Sequence, residues 1–118
     1  MTRSQKLYEI RERIINILSK LAGELDATVY LFGSYAKGTH TIDSDVDIVV
    51  VSEMFKGVDP VERVALVRLK LPADIAFEII ALTPEEMTGD STLIKEISRE
   101  WIKITKNQSR HQPSLEEC

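Results

Sequence analysis

Two strongly strand-like segments separated by a polar connection constrain the fold of this chain more than any other feature. Ala27 to Phe32 (ATVYLF) is short, β-branched and aromatic, and it runs directly into Gly33-Ser34. Asp45 to Ser52 (DVDIVVVS) is the clearest strand pattern in the chain. Both segments have the length and composition of buried strands. The connection over 35–44 is polar and contains a glycine, which predicts a loop that can begin with one helical turn.

Helices are predicted before and after these strands. Leucine and isoleucine recur every three or four residues from about Ser4 to Gly23, which indicates an amphipathic helix. Pro60 suits the first turn of a second helix that reaches about Lys70. The remaining predicted elements are a third strand over 73–82, a helix that Thr83 caps with Glu86 three residues later, a helix over 91–100, and a short edge strand over 101–105 for which a continued helix is the alternative.

The order of these elements predicts an α+β fold, a small mixed β-sheet with helices packed on one face. The other face of the sheet, or one end of it, is then free for a functional site. A chain of 118 residues accommodates one domain, which we place at residues 1–106. The polar residues 107–118 are predicted to form a flexible C-terminal tail.

Charge and cysteine content narrow the class of partner and the compartment. A formal net charge of −4 argues against a surface that grips nucleic acid, although a free nucleotide is compatible because magnesium can neutralise its phosphates. Cys118 is the only cysteine, so an internal disulfide is excluded. No signal-peptide pattern is present, and the longest apolar run, Ile48–Val51, is too short to cross a bilayer. We therefore expect a cytoplasmic protein with no membrane partner.

The Gly33-Ser34 dipeptide at the end of the first strand is a candidate phosphate-binding turn. Gly33 has no Cβ, so a phosphate can approach the backbone closely and the turn can adopt unusual dihedral angles. Ser34 offers a hydroxyl and a backbone N–H, and a helical turn after it would direct further N–H groups at an anion. Lys37 could reach a phosphate or remain in solvent, and Ser44 could contact the nucleotide or cap a turn.

Asp45 and Asp47 are the candidate metal ligands. They are two residues apart on a predicted strand, so both carboxylates project from one face with their Cα atoms ~7 Å apart. Two carboxylates beside an apolar strand repel each other unless a cation neutralises them, and magnesium prefers such oxygen ligands together with a phosphate. Two carboxylates with a third acid nearby can hold two metal ions for in-line nucleotidyl transfer.

The third acid has two candidates on the third predicted strand, Asp74 and Glu78, which lie ~13 Å apart along it. Asp74 follows Pro72 at the start of that strand, where water can solvate it. Glu78 lies among apolar residues, where an unused charge is costly, so we favour Glu78 and keep Asp74 as the alternative.

The Gly-Ser dipeptide, the ten-residue gap and the Asp-x-Asp pair resemble the signature of the DNA polymerase β-like nucleotidyltransferase superfamily. The short chain and the Thr-Pro-Glu-Glu segment after the third strand resemble its minimal nucleotidyltransferase (MNT) branch. The resemblance covers roughly Ala27 to Thr105. It implies the palm fold of that superfamily, with Gly33 and Ser34 on the β- and γ-phosphates.

The same resemblance implies the metal site and the partner. Asp45 and Asp47 would bind two Mg²⁺ ions, and a third acid would complete the site at the position of Glu78, where the family more often has Asp. Members of this branch often pair with a small helical protein of the HEPN type as antitoxins of toxin–antitoxin pairs. Some transfer AMP from ATP onto a tyrosine of that partner.

Other polar and aromatic residues have simpler interpretations. His40 and His111 have no cysteine or acid at metal-ligand spacing and are predicted to lie on the surface. Phe77 and Trp101 are predicted to anchor the core rather than to stack on a base. The acidic pair Glu85-Glu86 suits a helix start, where negative charge is favourable.

Two functions from different classes follow. The first is a Mg²⁺-dependent nucleotidyltransferase that transfers a nucleoside monophosphate, with AMP from ATP preferred, to a hydroxyl on a partner protein. The second is a nucleotide-binding module with weak or no catalysis that neutralises a HEPN-type partner by binding it. A homo-oligomer is compatible with either function.

Overall fold

The amphipathic pattern at the N-terminus forms a long helix, the first element of a computed structural model that describes residues 2–41, 43–89, 92, 95 and 101–105. The helices are α1 (Arg3–Leu25), α2 (Ser34–Lys37), α3 (Pro60–Leu69) and α4 (Pro84–Gly89), with a short 3₁₀ helix at Glu53–Phe55. The strands are β1 (Ala27–Phe32), β2 (Val46–Ser52), β3 (Phe77–Leu82) and β4 (Ile102–Ile104). Except at positions 92 and 95, the predicted helix over 91–100 lies outside the described residues. The predicted tail over 107–118, which includes His111, lies outside them as well.

The four strands form one mixed sheet in the order β3-β2-β1-β4. β1 pairs antiparallel with both β2 and β4, whereas β2 and β3 are parallel. A parallel pair needs a crossover connection, and α3 lies in the connection between β2 and β3. The predicted α+β fold with a small mixed sheet is confirmed. The alternative of a continued helix over 101–105 is wrong, because this segment forms the edge strand β4.

The main core lies between α1, α3 and one face of the sheet. The apolar stripe of α1 is buried there, as the helical spacing predicts. Val67 of α3 packs into the same cluster with the alternating inward residues of the strands. These inward residues include Val29, Leu31, Val46, Ile48, Val50, Phe77 and Ala81.

The opposite face of the sheet is covered only in part. Met87 of α4 packs on Val49, and Trp101 joins this second cluster by stacking on Tyr30 with 4.4 Å between the ring centroids. Trp101 therefore packs into the fold, as predicted. At one end of this face Asp47 is half-buried and Glu78 is exposed, so this end of the sheet is accessible to a ligand. The expectation that Glu78 lies in apolar surroundings, where its charge would be costly, was wrong, because the side chain lies at the open end of the strand.

The start of α4 confirms the predicted helix signature. The side chain of Glu86 accepts a hydrogen bond from the Thr83 N–H at 2.9 Å, and the Thr83 hydroxyl accepts one from the Glu86 N–H at 3.2 Å. This reciprocal pair satisfies two donors that a helix start leaves free.

Glu86 also pairs with Arg63, a buried cation of α3 that the sequence pattern did not reveal. Arg63 is only 6% exposed, and its Nη1 lies 2.6 Å from the Glu86 carboxylate. The same Nη1 donates to the carbonyl oxygen of Ala81 at 3.3 Å, and Nε donates to that of Val58 at 2.8 Å. The guanidinium thereby joins α3 to β3 and α4.

The third strand is shorter than predicted, and this changes the position of Asp74. The strand begins at Phe77 rather than at Ala73, and Asp74 lies in a turn before it. The neighbouring strand β2 begins only at Val46, whose N–H donates to the carbonyl of Ala76. Residues before Ala76 therefore have no β2 partner, and the prediction that Asp74 lies on the strand was wrong.

Among the described residues, no helix is both long and apolar enough to cross a membrane.

Candidate active site

The Gly-Ser turn follows β1 directly and is shaped by the glycine. Gly33 has φ 74° and ψ −151°, a conformation that side chains disfavour, and it precedes the single-turn helix α2. Its carbonyl accepts from the N–H groups of Ala36 and Lys37 at 3.1 Å each. The first N–H groups of such a turn have no partner within the helix and remain available to an anion.

Gly33 also lies against Asp47, one of the candidate metal ligands. A Cβ built on Gly33 would collide with Oδ2 of Asp47 and lie 3.2 Å from its Cγ. Glycine is therefore required here by its positive φ and by the space that the carboxylate occupies. This contact places the candidate phosphate turn and the candidate metal ligand side by side.

The sheet register brings the acids together. Asp47 is opposite Phe32 on β1 and opposite Glu78 on β3. Neighbouring strands lie ~4.8 Å apart, so Asp47 and Glu78 project side by side from the same face. Asp45 is two residues earlier, just before β2, and its alternation with Val46 directs it to this face as well. We call Asp45, Asp47 and Glu78 the acid row.

The electrostatics of Asp47 reflect this proximity. Burial raises the pKa of its carboxyl, and the charges of Glu78 and then Asp45 raise that pKa further. Each of these causes disfavours the negative charge on Asp47, so a cation bound at the acid row would be stabilising.

Magnesium fits the donor chemistry of the acid row. All three side chains supply the hard oxygen ligands that Mg²⁺ prefers, and their mutual repulsion is what a divalent cation relieves. Within the described part of the chain, no three His, Cys, Asp or Glu side chains converge closely enough to form a ready metal site. Asp45, Asp47 and Glu78 could hold a metal ion only if their side chains turned toward a common point.

The other predicted site residues lie in different surroundings. Lys37 is exposed at the end of α2. The Ser44 hydroxyl accepts a hydrogen bond from the Thr41 N–H at 2.8 Å, so Ser44 closes a turn before Asp45. Asp74 forms an ion pair with Arg13 of α1 at 3.6 Å. Asp74 and Ser44 both line a cavity of about 330 Å³ beside α1, whose lining includes no residue of the acid row.

His40 was predicted to lie on the surface, and this prediction was wrong. The residue is only 7% exposed, its Nε2 lies 2.9 Å from the carbonyl oxygen of Leu7, and its ring stacks on Tyr35. A polar loop is normally solvent-exposed, but α1 begins early enough for its first turns to cover this one. Local sequence carries no signal for such a contact, because 33 positions separate the two residues.

A sequence profile of the nucleotidyltransferase domain matches residues 11–110. The chain belongs to this nucleotidyltransferase domain family. The match includes the Gly-Ser turn and the whole acid row, and it agrees with the resemblance that these motifs carry. Among curated proteins, none matches the chain significantly.

Solved structures show the same fold for this nucleotidyltransferase domain. A candidate nucleotidyltransferase from Sulfolobus solfataricus superimposes with a TM-score of 0.60 at 20% identity, covering 87% of each chain. A second candidate nucleotidyltransferase has a TM-score of 0.51 at 28% identity and covers 79% of this chain and 95% of its own. A toxin–antitoxin structure with AMP-PNP has a TM-score of 0.58 at 22% identity, with 81% and 77% covered.

Proposed function

We propose that this nucleotidyltransferase domain transfers AMP from ATP to a hydroxyl group on a partner protein. The observation that carries the proposal is the contact between Gly33 and Asp47, which puts the Gly-Ser turn beside a carboxylate whose negative charge is disfavoured. A magnesium–triphosphate complex has complementary chemistry, since its phosphates suit the turn and its cation suits the acids.

Each residue of the site has a role in this proposal. The backbone of Gly33 and the hydroxyl and N–H of Ser34 bind the β- and γ-phosphates. Asp45, Asp47 and Glu78 would hold Mg²⁺, two ions in the full complement, which supply charge neutralisation for the triphosphate and for the departing pyrophosphate. Lys37, exposed at the end of α2, would contact a phosphate, and Ser44 would act through the turn that leads to Asp45.

The transfer itself needs an acceptor oxygen in line with the bond that breaks. The acceptor hydroxyl attacks the α-phosphorus, a new P–O bond forms, and the bond to the β-phosphate oxygen breaks to release pyrophosphate. The acceptor proton passes to a carboxylate, and Glu78 is the candidate because it is exposed at the open end of the sheet. A glutamate there reaches one methylene further than an aspartate.

A second chain supplies the acceptor in this proposal, because the acid row lies at an open end of the sheet. The structural likeness to a toxin–antitoxin structure with AMP-PNP supports a nucleotide-dependent partnership of this kind. We propose a small helical protein of the HEPN type as that partner, in a cytoplasmic toxin–antitoxin pair.

A binding module without catalysis is the second candidate. It is supported by the glutamate at position 78, because similar sequences more often have an aspartate there. In that case the domain would bind nucleotide and mask its partner without transferring AMP.

Calorimetric titration of ATP with magnesium and then with EDTA tests the nucleotide site. We expect binding that requires magnesium and that is lost when Asp45→Asn and Asp47→Asn are combined, while the circular dichroism spectrum stays unchanged. Asp74→Asn is the matched control, because it removes an acid outside the acid row. Unchanged affinity in the double variant would remove the metal assignment.

Labelled ATP tests the transfer and separates the two candidate functions. We expect label on the partner protein only when both chains are present, with Glu78→Gln reducing transfer far more than Asp74→Asn. Binding of ATP and partner without labelling would favour the masking module. The reverse ranking of the two variants would assign the third acid to Asp74.

A further inference from the structure

Two side-chain contacts hold the phosphate turn and the following loop against α1. Arg11 donates from Nε to the carbonyl of Tyr35 at 2.7 Å, and His40 contacts the carbonyl of Leu7 at 2.9 Å. Leu7 and Arg11 are four residues apart on α1, so both contacts come from one side of the helix within a single turn.

The chemistry of the His40 contact defines what the imidazole contributes. A carbonyl only accepts, so Nε2 carries the hydrogen and donates it to Leu7. The ring stacks on Tyr35 with 4.3 Å between centroids, and Nδ1 is buried without a hydrogen-bond partner among the described residues. An apolar ring would stack equally well and avoid that unsatisfied nitrogen. What imidazole adds is the hydrogen bond to α1.

Only a short hydrogen-bonded turn separates His40 from the acid row. The N–H of Thr39 donates to the carbonyl of Ser34 at 2.9 Å, which ties the loop to the phosphate turn. After His40, the Thr41 N–H donates to the Ser44 hydroxyl at 2.8 Å and the Ser44 N–H donates to the Thr41 carbonyl at 3.1 Å, and Asp45 follows immediately. A shift of His40 is therefore transmitted to Asp45 with little chain in between to absorb it.

We infer that His40 is a positioning residue that holds the loop before Asp45 against α1 and thereby keeps Asp45 in place in the acid row. The inference rests on the proposed function, because it concerns the same nucleotide and metal site. His40 itself touches neither the nucleotide nor the metal in this arrangement; it acts through the loop.

Two substitutions separate the hydrogen bond from the ring. His40→Gln keeps an N–H donor at about the reach of Nε2 but removes the ring, whereas His40→Phe keeps the stacking and removes the donor. If His40→Phe does not fold, His40→Asn replaces it, since its amide is too short to reach Leu7. Thermal unfolding of each variant shows whether the rest of the fold is intact.

The first measurement is independent of any ligand. In the full chain without metal or nucleotide, ¹⁵N relaxation gives backbone order parameters for Thr39, Thr41, Ser44 and Asp45. We expect rigid values near ~0.85 in the wild type and in His40→Gln, and values below ~0.6 in His40→Phe. Order parameters that remain rigid in His40→Phe would overturn the positioning role.

The second measurement is magnesium-dependent ATP affinity by calorimetry. We expect His40→Phe to bind about fivefold more weakly, which is the factor one neutral hydrogen bond contributes, and His40→Gln to stay within about twofold of wild type. If the wild type binds no nucleotide, the proposed function fails and the relaxation data still decide the role of His40. Equal affinity and a rigid loop in all variants would overturn the inference and leave the proposed function standing.

Discussion

The acid row and Glu86 lie at opposite ends of β3, and they differ in how their negative charge is compensated. The acid row lies where the parallel strands β2 and β3 begin, and there burial and the neighbouring carboxylates raise the pKa of Asp47. Beyond the other end of β3 is Glu86, whose pKa is lowered by its hydrogen bond to Arg63 and then by the N–H of Thr83. Among the ion pairs of the described residues, none involves the acid row.

This difference separates an acid that serves the fold from one that does not. Glu86 caps a helix and satisfies a buried cation, so its charge stabilises the packing of α3, β3 and α4. The negative charge of Asp47 opposes folding, because each cause of its shifted pKa disfavours ionisation. An unfavourable charge held in this way by the sheet register is typical of a functional site.

Removal of the Asp47 charge should have the largest effect, a loss of activity with no loss of stability. We expect Asp47→Asn to lower AMP transfer by about 1,000-fold, because a neutral amide would hold Mg²⁺ far more weakly than a carboxylate does, and the cation is what would neutralise the charge that develops on the phosphates. The midpoint of thermal unfolding should stay the same or rise, since a repulsive charge is removed. A clear drop in that midpoint would mean that Asp47 has a structural partner and would break the comparison.

Replacement of Arg63 should have the opposite profile. Arg63→Met removes the buried cation and leaves the carbonyls of Val58 and Ala81 without their donor, so we expect the free energy of unfolding to fall by about 2 kcal/mol. Urea denaturation measures this loss. Magnesium-dependent ATP affinity of the folded fraction should be unchanged, and a large change in affinity would show that the two regions are coupled.

The same chemical change can be made in both regions as a matched pair. Glu86→Gln leaves Arg63 buried without its counter-charge, so we expect a lower unfolding midpoint with normal ATP binding. Glu78→Gln should leave the midpoint unchanged and lower transfer. Parallel thermal scans and labelling assays compare the two variants. Destabilisation of equal size in both variants would show that Glu78 also stabilises the fold.

The smallest effect is the pH dependence of stability, which should have opposite signs in the two regions. The raised pKa of Asp47 means that stability from this group falls as the pH rises from about 4 through the raised value. The lowered pKa of Glu86 means that its contribution is present above about pH 4.3 and is lost as the pH falls through the lowered value.

Denaturation curves between pH 3 and pH 7 can separate these contributions, on the range where carboxylates titrate. The stability gained by Asp47→Asn over wild type should grow with pH, and so should the stability lost by Glu86→Gln. Curves for Asp47→Asn that run parallel to wild type would mean that its carboxyl has the same pKa in the folded and unfolded states.

Local patterns predicted most of the elements of this domain. The bounds of β1 agree with the prediction, and the Thr83–Glu86 cap forms as expected, because both depend on residues within one turn or strand. The spacing of Asp45 and Asp47 places them on one face for the same reason. Sequence also favoured Glu78 over Asp74 as the third acid, and this assignment remains a prediction.

Tertiary structure decided which distant residues meet. Because β2 starts at Val46, β3 can begin only at Phe77, and Glu78 lies opposite Asp47. Asp74 is left in the turn before β3, where it forms an ion pair with Arg13 of α1. The burial of His40 and Arg63 likewise depends on contacts across 33 and 23 positions of the chain.

The sequence by itself predicted most of the secondary structure and the residues of the candidate site, because helix periodicity, strand alternation and the Gly-Ser and Asp-x-Asp motifs are local. Only the tertiary structure decided the strand order, the neighbours of each acid and the buried roles of His40 and Arg63. The physical reason is that strand register and burial are set by pairing between segments that are far apart in the chain, for which local sequence carries no signal.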